Sequence, residues 1–311
     1  MRIRYSALMV VGCLCLLPRP AAAQLNGFNI KGDQGLKAGT QAPPGVYYGA
    51  PFYWYGTDTI KNQDGRTFST TGELNMFLGG PLVNVVTTKK VLGGRYGFMA
   101  VLPFANVRVE LPRLDDNPSP GMSDMYIQPF NLGWHTNRAD VLAGYGFFTP
   151  TGRYAAGAND NTGLGMWGHE VFAGTTVFFD EKKAWHAATT GALEFHSGKQ
   201  ESDAEAGTLL TLEGGFGRDF LMGAARIGLV YYAQWKLTDD TLTGLPGLIL
   251  QGKNRVAGLG PEITVPIATR QTVFAFLTAR YQWEMGARTT TQGDALNVHV
   301  ILPLKPIKVN P

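Results

Sequence analysis

From Val46 to the C-terminal region, apolar and polar residues alternate one by one instead of recurring at helical spacing. Over 99–111, Val101, Ala105, Val107, Val109 and Leu111 share one parity, and Asn106, Arg108 and Glu110 the other. Trp185, Ala187, Leu193 and Phe195 oppose His186, Thr190, Glu194 and His196. Ile227, Leu229, Tyr231, Ala233, Trp235 and Leu237 oppose Arg226, Tyr232, Gln234 and Lys236. Val273, Ala275, Leu277, Ala279, Tyr281, Trp283 and Met285 oppose Thr278, Arg280, Gln282 and Glu284. Successive side chains of a strand point to opposite faces, so each segment predicts a strand with one apolar and one polar face. The pattern places strands at 45–59, 68–88, 95–111, 121–136, 138–150, 164–180, 184–198, 205–220, 222–238, 253–268, 271–287 and 291–304.

Many of these segments run about 10 to 14 residues, enough for a tilted strand to cross a bilayer, whereas strands of soluble proteins peak near 5 to 6. An even count near twelve suits a bacterial single-chain barrel. Turn chemistry punctuates the pattern at Asn62-Gln63-Asp64-Gly65, Gly93-Gly94, Asp115-Asp116-Asn117-Pro118, Asn159-Asp160-Asn161 and Asp239-Asp240. Aromatics gather at strand ends, among them Trp54, Trp134, Trp167, Trp185, Trp235 and Trp283, as interfacial girdles require. The expected fold is all-β: a transmembrane antiparallel up-and-down barrel of about twelve strands over 44–311. The rival is a secreted soluble β-sandwich in which the aromatics pack a core, and it would need shorter strands.

The first residues qualify this picture. Arg2 and Arg4 precede an apolar stretch from Tyr5 to Leu17, and Ala21-Ala22-Ala23 offer a cleavage site, so 1–23 reads as a signal peptide. A lipoprotein signal at Cys13 is the alternative, opposed by the apolar run continuing past it. Removing the leader takes both cysteines, Cys13 and Cys15, and three of the 27 basic residues, leaving bases and acids balanced. No thiol then remains for a disulfide, and no basic footprint for nucleic acid. Charged residues make up only 16% of the chain against about 25% in soluble proteins, while glycines number 40, which again suits a membrane barrel. Residues 24–43 are glycine-rich without periodicity and read as a periplasmic or lumenal lead-in.

Gly39 to Asp58, the Asn62–Gly65 turn, Asp124-Met125-Tyr126-Ile127-Gln128-Pro129 and Phe148-Thr149-Pro150-Thr151-Gly152-Arg153-Tyr154 together resemble the outer-membrane proteins associated with the meta-cleavage pathway of phenol degradation. The resemblance covers most of the chain loosely. It implies an outer-membrane barrel assisting uptake of aromatic or other hydrophobic carbon sources, and it supplies no catalytic set. The chain departs from many bacterial barrels in ending Lys308-Val309-Asn310-Pro311 instead of on an aromatic residue.

The polar parity defines a candidate solute path: Arg108, Glu110, Asp124, Tyr126, Gln128, Arg226, Tyr232, Gln234, Arg280, Gln282 and Glu284. Mixed charge with aromatics suits a small solute having a polar group and an apolar body. The bland alternative is that these residues merely fill a narrow barrel, since twelve strands lie between filled eight-stranded barrels and open porins. His135, His169, His186, His196 and His299 show no metal-ligand spacing, and no cofactor is expected. His196-Ser197 invites comparison with a lipid-acting hydrolase, but neighbours on a strand face opposite ways. Pro103, Pro129 and Pro266 each remove a ladder donor, predicting bulges and offering a lateral opening in the wall. The expected function is passive uptake of small, partly hydrophobic solutes, with membrane lipid, the solute and the barrel-assembly machinery as partners. An outer-membrane hydrolase and a non-transporting structural barrel are the alternatives.

Overall fold

A computed structural model of the chain describes residues 26–69, 72–111, 114–116, 118–156, 158, 160–202, 204–220, 225–241, 253–269, 272–305 and 307–308. The expected signal peptide, 1–23, lies outside the described residues. The architecture is a closed antiparallel barrel of twelve strands. They are β1 (Gly45–Thr57), β2 (Glu73–Gly79 continued by Leu82–Val91), β3 (Gly94–Val101 continued by Phe104–Leu111) and β4 (Gly121–Met122 continued by Met125–His135). There follow β5 (Ala139–Thr149), β6 (Gly168–Phe178), β7 (Trp185–His196) and β8 (Leu209–Phe220). The last four are β9 (Ala225–Lys236), β10 (Arg255–Ala268), β11 (Thr272–Arg288) and β12 (Asp294–Pro303).

Each strand pairs with its successor, and β12 closes on β1 through Tyr47↔Pro303 to Gly56↔Asp294. Closure removes the unpaired edges that lipid could not satisfy. The strands after β1 are joined alternately by short connections (92–93, 136–138, 179–184, 269–271) and by longer ones (58–72, 112–120, 150–167, 197–208), with 289–293 the short exception on the long side. At the long-loop end, Ile60–Lys61, Thr67–Ser69 and Thr290–Thr291 form a small separate sheet.

The proline interruptions take different forms. β2 and β3 keep their register across Gly80-Pro81 and Leu102-Pro103: Gly79↔Phe104 and Leu82↔Val101 belong to one continuous ladder. At Pro129 the register shifts on both sides of β4, between Ile127 and Phe130 and between Gln128 and Asn131. Near Pro266 it shifts at Ile267/Ala268. A proline has no N–H to give the ladder, so a bulge or a break is the physical result. Beyond a break after β12, Ile307 and Lys308 continue the same antiparallel pairing with β11, opposite Val273 and Thr272.

Facing follows the expected parity on most strands. On β1, Tyr47, Tyr53 and Tyr55 are buried while Tyr48, Phe52 and Trp54 are exposed; on β9, Val230 and Tyr232 are buried while Ile227 and Leu229 are exposed. β3 corrects the expectation. Val101, Ala105 and Val107 pair across from Leu82, Leu78 and Met76, which share the inner face with Tyr53 and Tyr55. Arg108 and Glu110 therefore lie on the outer face, toward the long-loop end, where they pair with each other at 47% and 41% side-chain exposure. Alternation reports that two faces differ, not which one is lumen, and here the lumenal face is the apolar one. At the start of β11, Ala275 pairs with the exposed Ile267 on the outer face, in the parity expected from sequence, and the ladder shifts register just before it.

Leu229→Arg puts a guanidinium on the lipid-facing wall and is expected to cost about 2–4 kcal/mol. Arg108→Leu, on the rim, is expected to change stability by less than about 0.5 kcal/mol. Reversible unfolding in lipid vesicles measures both.

Candidate functional site

The barrel interior is occupied by its own N-terminal segment. Residues 26–44 run from the long-loop end of the lumen, beside Glu194, to the short-loop end beside Asp140, where the chain enters β1. This segment pairs with no strand, so its main-chain N–H groups need acceptors from the wall. Carboxylates provide them. Glu194 on β7 accepts from Phe28 N (2.6 Å) and Asn29 N (2.9 Å). Glu213 on β8 accepts from Gly32 N and Gln34 N, both at 2.7 Å. Glu262 on β10 accepts from Leu36 N at 3.1 Å.

Side chains reinforce these contacts. Asn29 donates to Glu170 (2.8 Å) and Lys31 to Glu284 (2.5 Å). Arg280 bridges Glu262 and the Asp33 carbonyl, each at 2.5 Å. At the short-loop end, Lys37 pairs with Asp219 at 2.9 Å and lies over the Phe178 ring. Burial pushes the Lys37 ammonium below its usual range, and Asp219 opposes that shift. Glycines make the close approach possible: Gly32 takes φ +77, and a Cβ there would collide with Gln282.

The candidate residues fall into separate groups. Tyr232 donates to Glu284 at 2.8 Å, and Tyr55 donates to the same carboxylate at 2.7 Å. Gln282 is fully buried against the segment, and Gln234 donates to Thr211 at 3.0 Å. Tyr126 donates to Glu170 (3.1 Å) and Gln128 (3.3 Å). Arg226 lies 3.7 Å from Asp219. Asp124 has a different setting: its carboxylate accepts from Gly152 N (2.9 Å) and Leu164 N (2.6 Å) and so pins the 150–167 loop to β4. Arg108 and Glu110 stand apart on the outer face.

Sequence reasoning missed Glu170, Glu213 and Glu262, each at an inward parity position on its strand. It also missed the apolar sector of the lumen. Leu74, Met76 and Leu78 on β2 face inward and pack, with Ile30 of the segment, against Tyr53, Tyr55 and Ala295. Val107, Ala105, Val101 and Met99 on β3 stand across from Met76, Leu78, Leu82 and Asn84. One side of the lumen is thus carboxylate-rich and bound to the segment, and the other carries an apolar strip from Leu74 to Leu82 and from Met99 to Val107 that the segment meets at Ile30. His196 lies against Glu194 at 2.5 Å, whereas Ser197 Oγ donates to the Gly198 carbonyl and accepts from Trp167 N, so this pair forms no dyad. No group of three or more metal-ligating residues is present among the described residues.

Glu213→Gln replaces a charged acceptor of two main-chain N–H groups, each such bond worth about 1.5–3 kcal/mol. Single-channel conductance of the refolded protein is expected to rise, with more frequent openings, as the segment loosens.

The fold has a solved counterpart, and weaker likenesses accompany it. The COG4313 outer membrane channel from Pseudomonas putida F1 superposes with a TM-score of 0.73 at 14% identity, covering 86% of this chain and 98% of its own. The beta domain of the Bordetella autotransporter BrkA gives 0.49 at 12% identity, covering 84% and 100%. The CymD monoaromatic hydrocarbon channel gives 0.45 at 7% identity, covering 85% and 90%. No curated protein matches the sequence. Residues 57–300 match the family model described as "Putative MetA-pathway of phenol degradation". That match spans well over half of the chain, and the protein belongs to this family.

Proposed function

We propose that the chain is an outer-membrane channel for passive uptake of small, partly hydrophobic solutes, aromatic ones included. The observation that carries this reading is the apolar strip of β2 and β3 facing the lumen beside the N-terminal segment. A pore for ions or sugars gains nothing from an inner wall of Leu, Met and Val, whose exposure to water is unfavourable at about 25 cal/mol per Å2. A solute with an apolar body recovers that cost by covering the wall. The segment is held by the polar sector and meets the strip through Ile30, and the strip beside that contact is the route. The P. putida relative of the same fold is itself described as a channel, and the family's description concerns phenol degradation.

A lateral exit is a second reading, favoured by one feature. Pro51, Gly80, Pro103 and Ser123 lie side by side across β1 to β4 at the level of the strip, held there by Gly80 N donating to the Pro51 carbonyl (3.2 Å) and Ser123 N to the Pro103 carbonyl (2.8 Å). Two prolines in one row remove two ladder donors beside the apolar strip.

Leu78→Asp and Val101→Asp put charge on the strip and are expected to slow toluene entry into proteoliposomes about tenfold or more, with barrel folding checked by heat-modifiable migration. Unchanged toluene entry in both folded variants contradicts the route.

A further inference from the structure

Phe28, near the outer end of the N-terminal segment, occupies an aromatic niche built by the wall. Its ring lies parallel to Phe148 of β5, with centroids 4.6 Å apart and planes at 6°. Phe148 in turn contacts Tyr126 of β4 at 4.6 Å, and His196 of β7 flanks Phe28 at 6.2 Å. Gly168 of β6 forms the floor; a Cβ there would sit 2.5 Å from the Phe28 ring. The Phe28 main-chain N–H is held separately by Glu194, so the ring is not what satisfies the backbone. The niche opens toward the long-loop end, where Asn26 is exposed and Phe28 itself only partly buried.

A ring stacked in a niche with an aromatic wall and a glycine floor has the arrangement of a ligand in its site. We propose that this niche is a binding site for a single aromatic ring, that Phe28 is its resident surrogate, and that an aromatic solute exchanges with Phe28 and thereby frees the outer end of the segment. The inference rests on the channel reading and adds to it a link between solute and plug. The solute meets the Phe148 face, with the Tyr126 hydroxyl and the Glu170 carboxylate it contacts at the edge for a polar substituent. The stacking lost by Phe28 is regained by the solute, so the Glu194 bonds to Phe28 N and Asn29 N are what freeing the segment has to break.

The test uses 4-fluorophenol as probe, its fluorine NMR linewidth reporting binding to the refolded full barrel in detergent. Phe28→Ala vacates the niche and is expected to bind the probe about tenfold more tightly than the unaltered chain, since it no longer competes with an internal ring. Phe28→Leu, which refills the niche, is expected to show no gain, and adding Phe148→Ala to Phe28→Ala is expected to abolish it. Independently, Ile30→Cys in the otherwise unaltered chain is expected to react severalfold faster with a water-soluble maleimide when the probe saturates. Equal binding by Phe28→Ala and the unaltered chain, a gain that survives Phe148→Ala, or an unchanged maleimide rate would each overturn the proposal. Toluene entry along the β2–β3 strip is read separately in proteoliposomes, so loss of the niche leaves the channel reading standing and loss of entry is recognised as its own failure.

Discussion

Buried carboxylates accepting main-chain N–H groups are the interaction on which the interior depends. A segment threaded through a barrel without joining a ladder leaves its donors to be satisfied one at a time, and an unsatisfied buried donor costs about 1–3 kcal/mol. Glu194, Glu213 and Glu262 take five such donors from Phe28, Asn29, Gly32, Gln34 and Leu36. The carboxylates are themselves removed from bulk water, and these N–H groups, with Arg280 on Glu262 and His196 on Glu194, replace that hydration. The wall and the segment therefore need one another. Glycines at 32 and 35 follow from the same constraint, since a side chain at either position would occupy the space of Gln282 or Glu262.

That docking divides the lumen. With the segment bound to the carboxylates of β7, β8 and β10, the surface left facing the interior from β2 and β3 is apolar. A barrel interior is polar by default, and the departure on this side concentrates the chemistry suited to an apolar solute along a single wall. The proline row lies across the same wall, so two missing ladder donors fall beside the apolar surface.

The fold was legible because a tilted membrane strand is long and alternates, and the sequence shows that alternation strand after strand: every expected strand overlaps an observed one, from Gly45–Thr57 to Asp294–Pro303. The site was legible only in part. Parity separates two faces but assigns neither to the lumen without knowing what fills it. On β9, where Tyr232 and Gln234 alternate with Leu229 and Tyr231, the default assignment held. On β3 it inverted, because the lumenal face there is Val and Met while Arg108 and Glu110 pair with each other on the outer face toward the long-loop end. The partners of the segment were invisible for another reason: Glu194 and Phe28 are 166 residues apart, and nothing local in either marks the other.

The most direct test of the central claim, that solutes move along the apolar wall beside the docked segment, is photoaffinity labelling with a diazirine-bearing monoaromatic probe in proteoliposomes, mapped by mass spectrometry. Adducts confined to the inward positions of β2 and β3, Leu74 to Leu82 and Met99 to Val107, are the predicted result. Adducts spread over the carboxylate-rich face of β7 to β10, with none on β2 and β3, would contradict it.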